Sequence, residues 1–196
     1  DRLLLSPAGL PVRVRGIHVQ DRQARQAASG DRAAINLAGV SADDIKRGDW
    51  LVDPTTYNPT RHLSLDLRVL DDFPRNVRHW APVHLYHATS HTQARLAVLE
   101  GPVIRPGATG LVDLVCDLPF EAKIGDPVIV RDHDLGRTLG GGAVIDAREP
   151  SGRRRHPSRI ASLKQLAKAV AADDVKEALA VQSRAAPVGI DAFRRQ

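Results

Sequence analysis

The chain has 196 residues, 42% of them apolar, with a formal net charge of +5. This length suffices for one or two small domains with their own cores, and the composition excludes wholesale disorder. No apolar run nears the roughly 18 residues of a membrane span, and DRLLLSPAGL lacks the basic start and long apolar stretch of a signal peptide, so no membrane partner is expected.

The chain opens on Asp1 and contains no Met, which reads as an internal segment of a longer protein. Strands are expected at Leu3–Leu5, Val12–Gln20, Arg32–Ala38 and Trp50–Asp53, each closed off by turn residues. Along the second of these, Val12, Val14, Gly16 and His18 alternate with Arg13, Arg15, Ile17 and Val19, so one face is partly basic. Gly-Asp stands just before a strand three times, at Gly30-Asp31, Gly48-Asp49 and Gly125-Asp126. Gly opens the backbone at a corner, and Asp can bond nearby amides. That recurrence suits Greek-key barrels, which turn many corners.

DPTTYNPTRH, with two prolines and little apolar content, reads as a linker. A second β block follows, with strands expected at Leu63–Leu70, Pro82–Ala88, Ala94–Glu100, Gly110–Pro119, Pro127–Asp132 and Gly141–Ala147. Six such strands can close a small barrel. Cys116, the lone cysteine, lies in the apolar run LVDLVCDLPF. It has no disulfide partner, fits a reduced cytosolic setting, and reads as inert filler. Gly140-Gly141-Gly142 has neither a Lys nor a following helix, so it reads as a tight turn before a strand and not as a phosphate loop.

After Pro150 the character changes. Residues 151–196 hold ten Lys or Arg and four Asp or Glu, which leaves the remaining body at −1. Arg153, Arg154 and Arg155 form a basic run that reads either as a polyanion contact or as a solvated hinge. From Pro157, Ile160, Leu163, Ala167 and Val170 fall at helical spacing. Asp173 and Asp174 can open a second helix with Val175, Ala178 and Leu179 on one face. Two short helices alone bury little, so this segment reads as the beginning of a further domain.

RVRGIHVQ, INLAG, RGDWL, the His79, Trp80, His84, His87, His91 pattern and the RD…RTLGG block together resemble the selenocysteine-specific elongation factors, translational GTPases related to elongation factor Tu. The resemblance implies a mainly β fold: two small β-barrels in tandem, the first incomplete, followed by a short helical segment. It implies a partial barrel over 1–54, a barrel over 61–148, and over 149–196 a basic connector with the first helices of a winged-helix domain. It implies tRNA binding, with selenocysteinyl-tRNA and the ribosome as partners, and an mRNA hairpin gripped by domains beyond residue 196. The alternative role is a protein-interaction and inter-domain relay scaffold. No GxxxxGK[ST] loop is present, so no enzymatic activity and no cofactor are expected of this segment; GTP and Mg would belong to the intact factor. The expected location is cytoplasmic.

The same resemblance implies that Arg32, of the G-x-R motif, lines the selenocysteine pocket. A fixed guanidinium there would favour the selenolate over neutral serine. Pairing of Arg32 with Asp31 or Asp49 is the plainer alternative. His79, Trp80, His87 and His91 are implied as tRNA contacts, with core packing as the other reading. A metal site is not expected, because His84 and His87 point to opposite faces of a strand and no Cys lies near. Arg131 and Arg137 flank DHDLG and are implied as phosphate contacts; pairing with Asp132 or Asp134 is the alternative.

Overall fold

The structure is a computed structural model that describes residues 1–185, the side chains of Val175, Leu179 and residues 183–185 excepted. The expected apolar face of the second helix therefore lies partly outside the described residues; Ala178 on it is buried.

The chain begins with a small antiparallel sheet. It comprises β1 (Arg2–Ser6), β2 (Leu10–Val19), β3 (Arg22–Ala24), β4 (Ala33–Ala38) and β5 (Trp50–Val52). The strand order is β3-β2-β1-β5, with β4 paired to the other side of β2. The sheet does not close on itself. The regular alternation expected along β2 breaks in its middle: Val14 faces Leu37 and Gly16 faces Asn36, leaving Arg15 as an extra residue. Such a bulge swaps the faces of the residues beyond it. Arg13 and Arg15 are exposed while Ile17 and Val19, of the same parity, are partly covered. The basic face therefore ends at the bulge.

The three Gly-Asp corners share one construction. The amides of Ala28, Lys46 and Lys123 donate to the carboxylates of Asp31, Asp49 and Asp126 at 2.7, 2.7 and 2.8 Å. Each Asp amide donates back to the same residue's carbonyl at 3.1 Å. The intervening glycines adopt φ of +91°, +100° and +89°, a region that side-chain-bearing residues rarely adopt.

A closed antiparallel barrel follows. Its strands are β6 (Thr60–Val69), β8 (Ala81–His87), β9 (Ser90–Val98), β11 (Thr109–Phe120), β12 (Pro127–Asp132) and β13 (Thr138–Asp146). They run in the order β11-β6-β13-β12-β8-β9, and β9 pairs with β11 to close the ring. A two-stranded ribbon, β7 (Val77–Arg78) with β10 (Val103–Ile104), caps one end. Alternate residues fill the interior, among them Leu63, Leu65, Leu67, Val83, Leu85, Val112 and Leu114. Cys116 joins this core, and burial pushes its thiol up to about 12. Gly140-Gly141-Gly142 is not a turn; it lies inside β13. A Cβ on Gly140 would strike the Arg68 carbonyl, and one on Gly142 the Asp66 carbonyl. The triplet exists so that β6 and β12 can press against β13.

Helix α1 (Pro157–Ala171) and helix α2 (Val175–Ala185) follow the barrel. His156 caps α1, and Pro157 starts it where its missing N–H costs nothing. Both helices pack against the barrel. Leu163, Leu166, Ala169, Ala178 and Val181 pack on Leu99, Leu111 and Ile145 of the barrel side, forming a second core. Among the described residues no helix is long and apolar enough to cross a membrane.

Candidate nucleic-acid interface

The outer wall of the barrel carries a strip of cationic and aromatic side chains. It follows from strand parity: Val83, Leu85 and His87 point inward, so His84 and Tyr86 point outward. Register then sets their neighbours. Tyr86 faces His91 on β9 and Ile129 on β12, and His84 faces Arg131. The Tyr86 and His91 rings stack with centroids 5.8 Å apart at 17°. The Arg131 guanidinium lies 5.9 Å over the Tyr86 ring and donates to the Gly136 carbonyl, which fixes its reach. His133, in the β12–β13 turn, meets His84 through ring nitrogens 3.0 Å apart. Ile129 is 53% exposed beside them. A flat aromatic, a fixed guanidinium and imidazole edges on a rigid sheet offer stacking and phosphate contacts without reordering.

The residues singled out from sequence fare differently. His91 and Arg131 lie in the strip. Arg137 sits at the adjoining turn and pairs with Asp72 at 2.9 Å. Neither Arg takes Asp132 or Asp134, because Arg75 occupies both, at 2.7 and 3.2 Å. Burial pushes the Asp132 carboxyl up, but bonds from Arg75 and from the Leu135 amide outweigh it and hold the group below the ordinary carboxylate value.

His79 and Trp80 lie in the turn between β7 and β8, at the far end of the hairpin from His91. Trp80 is 46% exposed, so it is not core packing. Arg155 donates to the Val98 carbonyl at 2.8 Å and faces His79 Nδ1 at 3.0 Å. His79 Nδ1 also lies 3.2 Å from the same Val98 carbonyl.

His87 is withdrawn as a tRNA contact. It is 4% exposed, stacks on Trp50 at 5.5 Å, and meets Asp126 through Nε2 at 2.9 Å. Burial pushes the Asp126 carboxyl up, while bonds from His87 and the Lys123 amide more than offset this and hold it low. The ring is a joint between the first sheet and the barrel, since Trp50 opens β5. Ser90 is its register neighbour but donates its hydroxyl to the Gly48 carbonyl at 2.7 Å, so no nucleophile is aimed at the His87–Asp126 pair.

Arg32 is exposed at the entry to β4, in the first sheet and away from the strip. Asp31 and Asp49 spend their carboxylates on their own corners, so the plainer pairing reading loses its partners. No group of three or more His, Cys, Asp or Glu among the described residues is placed to hold a metal.

Sequence reasoning missed Tyr86 and His133 in the strip, and it left the role of the basic run open. Asp113 on β11 is 2% exposed. Arg159 reaches both its oxygens, at 2.9 and 3.0 Å, and Arg154 reaches it at 3.2 Å. Ser64 completes the shell at 2.8 Å. Arg154 and Arg155 therefore bind the barrel and are not a solvated hinge. The available signal was Asp113 itself, a charge set among apolar residues in LVDLVCDLPF.

A family model described as the selenocysteine-specific elongation factor β-barrel domain matches residues 65–151. The selenocysteine-specific elongation factor of Haemophilus influenzae is 32% identical over 168 residues, 85% of this chain and 26% of that protein. Its Escherichia coli counterpart is 31% identical over 170 residues, 86% of this chain and 26% of that protein. Elongation factor Tu 2 of Streptomyces avermitilis is 29% identical over 152 residues, covering 74% of this chain and 37% of that one. The crystal structure of a bacterial selenocysteine-specific elongation factor superposes with a TM-score of 0.70 at 21% identity, covering 100% of this chain and 30% of that one. The apo factor of Methanococcus maripaludis gives 0.64 at 21% identity over 76% of this chain and 36% of that one. The chain thus spans about a quarter of the length of its bacterial selenocysteine-specific relatives, 26% in both cases. With these likenesses and the barrel that carries them, the chain belongs to the selenocysteine-specific elongation factor family.

Proposed function

We propose that this chain is the tRNA-carrying part of a selenocysteine-specific elongation factor, organised as a partial barrel over 1–54, a barrel over 61–148 and a helical unit from 149. The barrel strip seats the tRNA backbone, with His91, Arg131 and Arg137 contributing, and the first sheet offers Arg32 to the selenocysteine. The chain itself runs no reaction. GTP hydrolysis with Mg, ribosome delivery in the cytoplasm and mRNA-hairpin binding belong to the intact factor. The observation that carries the reading is Tyr86 flanked by His91 and Arg131 on a rigid sheet. Such a surface suits a polyanion with planar, stackable parts.

The test is tRNA binding by the chain across a salt series. Affinity should fall linearly with the logarithm of salt, and Arg131→Ala should reduce the slope by about 0.9, one phosphate contact. Binding that ignores salt, or a slope unmoved by Arg131→Ala, would refute the strip as the tRNA seat. The scaffold reading has one observation in its favour, the Asp113 cluster that locks the helices to the barrel. It predicts no RNA binding at all.

A further inference from the structure

The β7–β8 end of the barrel holds a cavity of about 620 Å³ that the strip does not use. We propose that it receives one unpaired nucleotide, and that Trp80 stacks the neighbouring base. This rests on the reading of the barrel as an RNA binder and names a second contact mode, single-stranded and base-directed. It is separate from the backbone contacts of the strip.

The cavity's chemistry is that of a nucleoside site. Phe73, Pro82 and Leu139 give it apolar walls that suit a base face. Asn76 is exposed on its lining and carries both a donor and an acceptor, the pair that reads a base edge. His79 also lines it. Charge decides what part of a ligand enters. Arg75 is held between Asp132 and Asp134, so two carboxylates balance Arg75 and Arg78 on the cavity lining. A free phosphate gains little there, whereas a neutral base with ribose hydroxyls can donate to Asp134, which is 57% exposed in its side chain. Arg78 is exposed on the same lining and suits a flanking phosphate.

Trp80 supplies the independent observation. Its φ is +65°, a conformation that a bulky side chain rarely adopts. Its amide donates to the Leu96 carbonyl at 2.7 Å, which holds the turn. The indole is left 46% exposed, tilted at 34° to His79 with centroids 6.0 Å apart. Strained residues of this kind concentrate at binding sites, and an exposed indole is a ready platform for an unpaired base.

The experiment follows the two indole N–H resonances of the full chain by NMR during titration with AMP, a single-stranded hexaribonucleotide and inorganic phosphate. The Trp80 signal should move saturably with the hexaribonucleotide while that of Trp50, stacked on His87, stays still. Asn76→Ala and Arg78→Ala should each weaken this titration about 10-fold, and Arg153→Ala, at an exposed position outside both the cavity lining and the strip, should leave it unchanged. Absence of the hexaribonucleotide response in a chain that still binds tRNA defeats the cavity alone and leaves the strip standing. A response to the hexaribonucleotide supports the proposal, whereas a response to AMP alone would make the cavity a free-nucleotide site and overturn the role given to Trp80. No saturable movement at millimolar ligand, an equal response to inorganic phosphate, or indifference to Asn76→Ala and Arg78→Ala overturns the proposal.

Discussion

Arg32 and His87 are placed oppositely by the fold, the first exposed at the entry to β4 and the second buried in the barrel. Arg32 stands exposed where its neighbouring carboxylates are already engaged, so its charge is available to a ligand. In the intact factor, Arg32→Ala should weaken selenocysteinyl-tRNA binding more than seryl-tRNA binding, because only the selenolate carries a full charge. A charge-assisted bond is worth about 1.5–3 kcal/mol, so the ratio of the two affinities, measured at matched salt, should drop by roughly 10- to 150-fold. Arg32→Lys should recover part of that drop, since a point charge remains. Equal losses for both aminoacyl groups would make Arg32 a barrel or backbone residue. His87 failed as a contact for a reason already present in the chain: it shares its parity with Val83 and Leu85, both inward.

At the level of elements, the helical segment is held to the barrel by charge as well as by apolar packing. Asp113 would be an uncompensated buried anion without Arg159 and Arg154. Removing one partner of such a buried pair costs about 3–5 kcal/mol. Arg159→Ala should therefore lower the denaturation midpoint strongly, whereas Arg153→Ala, on an exposed neighbour, should shift it little. The double change Asp113→Leu with Arg159→Met should recover much of the loss, because it removes both charges. If Arg159→Ala unfolds no more readily than Arg153→Ala, the cluster does not fasten the helices. The long strands were legible because they alternate over five or more residues. β3, β7 and β10, of two or three residues, carry too little pattern to register. The glycine triplet was misread because glycine marks turns far more often than crowded strand crossings. The Asp113 cluster joins residues more than 40 apart in the chain, and no local pattern announces such a pairing. The candidate strip was half legible: His91 and Arg131 were named, while Tyr86 and His133 gain meaning only from cross-strand register.

On the scale of the whole molecule, the open sheet and the closed barrel meet through few contacts, and one of them is a buried carboxylate. Glu121 is 2% exposed at the end of β11. It accepts from the Ser6 hydroxyl at 2.6 Å and the Asn58 amide at 3.3 Å, and Ser6 is itself fully buried. Trp50 on His87 and Gly48 on Ser90 complete the junction. The barrel has no free strand edges and a large core of its own, while the first sheet leaves β3, β4 and β5 unpaired on one side. Local openings should therefore cost less in the sheet than in the barrel. Glu121→Ala leaves the Ser6 hydroxyl without its partner, at about 1–3 kcal/mol. That cost should fall on the junction, because the barrel's hydrogen bonds do not pass through Glu121. Amide exchange in β1 and β5 should quicken by roughly 5- to 150-fold, with β6 and β13 unchanged. Equal acceleration in all four strands would mean that sheet and barrel open as one unit. The first sheet would then be an integral part of the barrel's fold and not a separately mobile platform for Arg32.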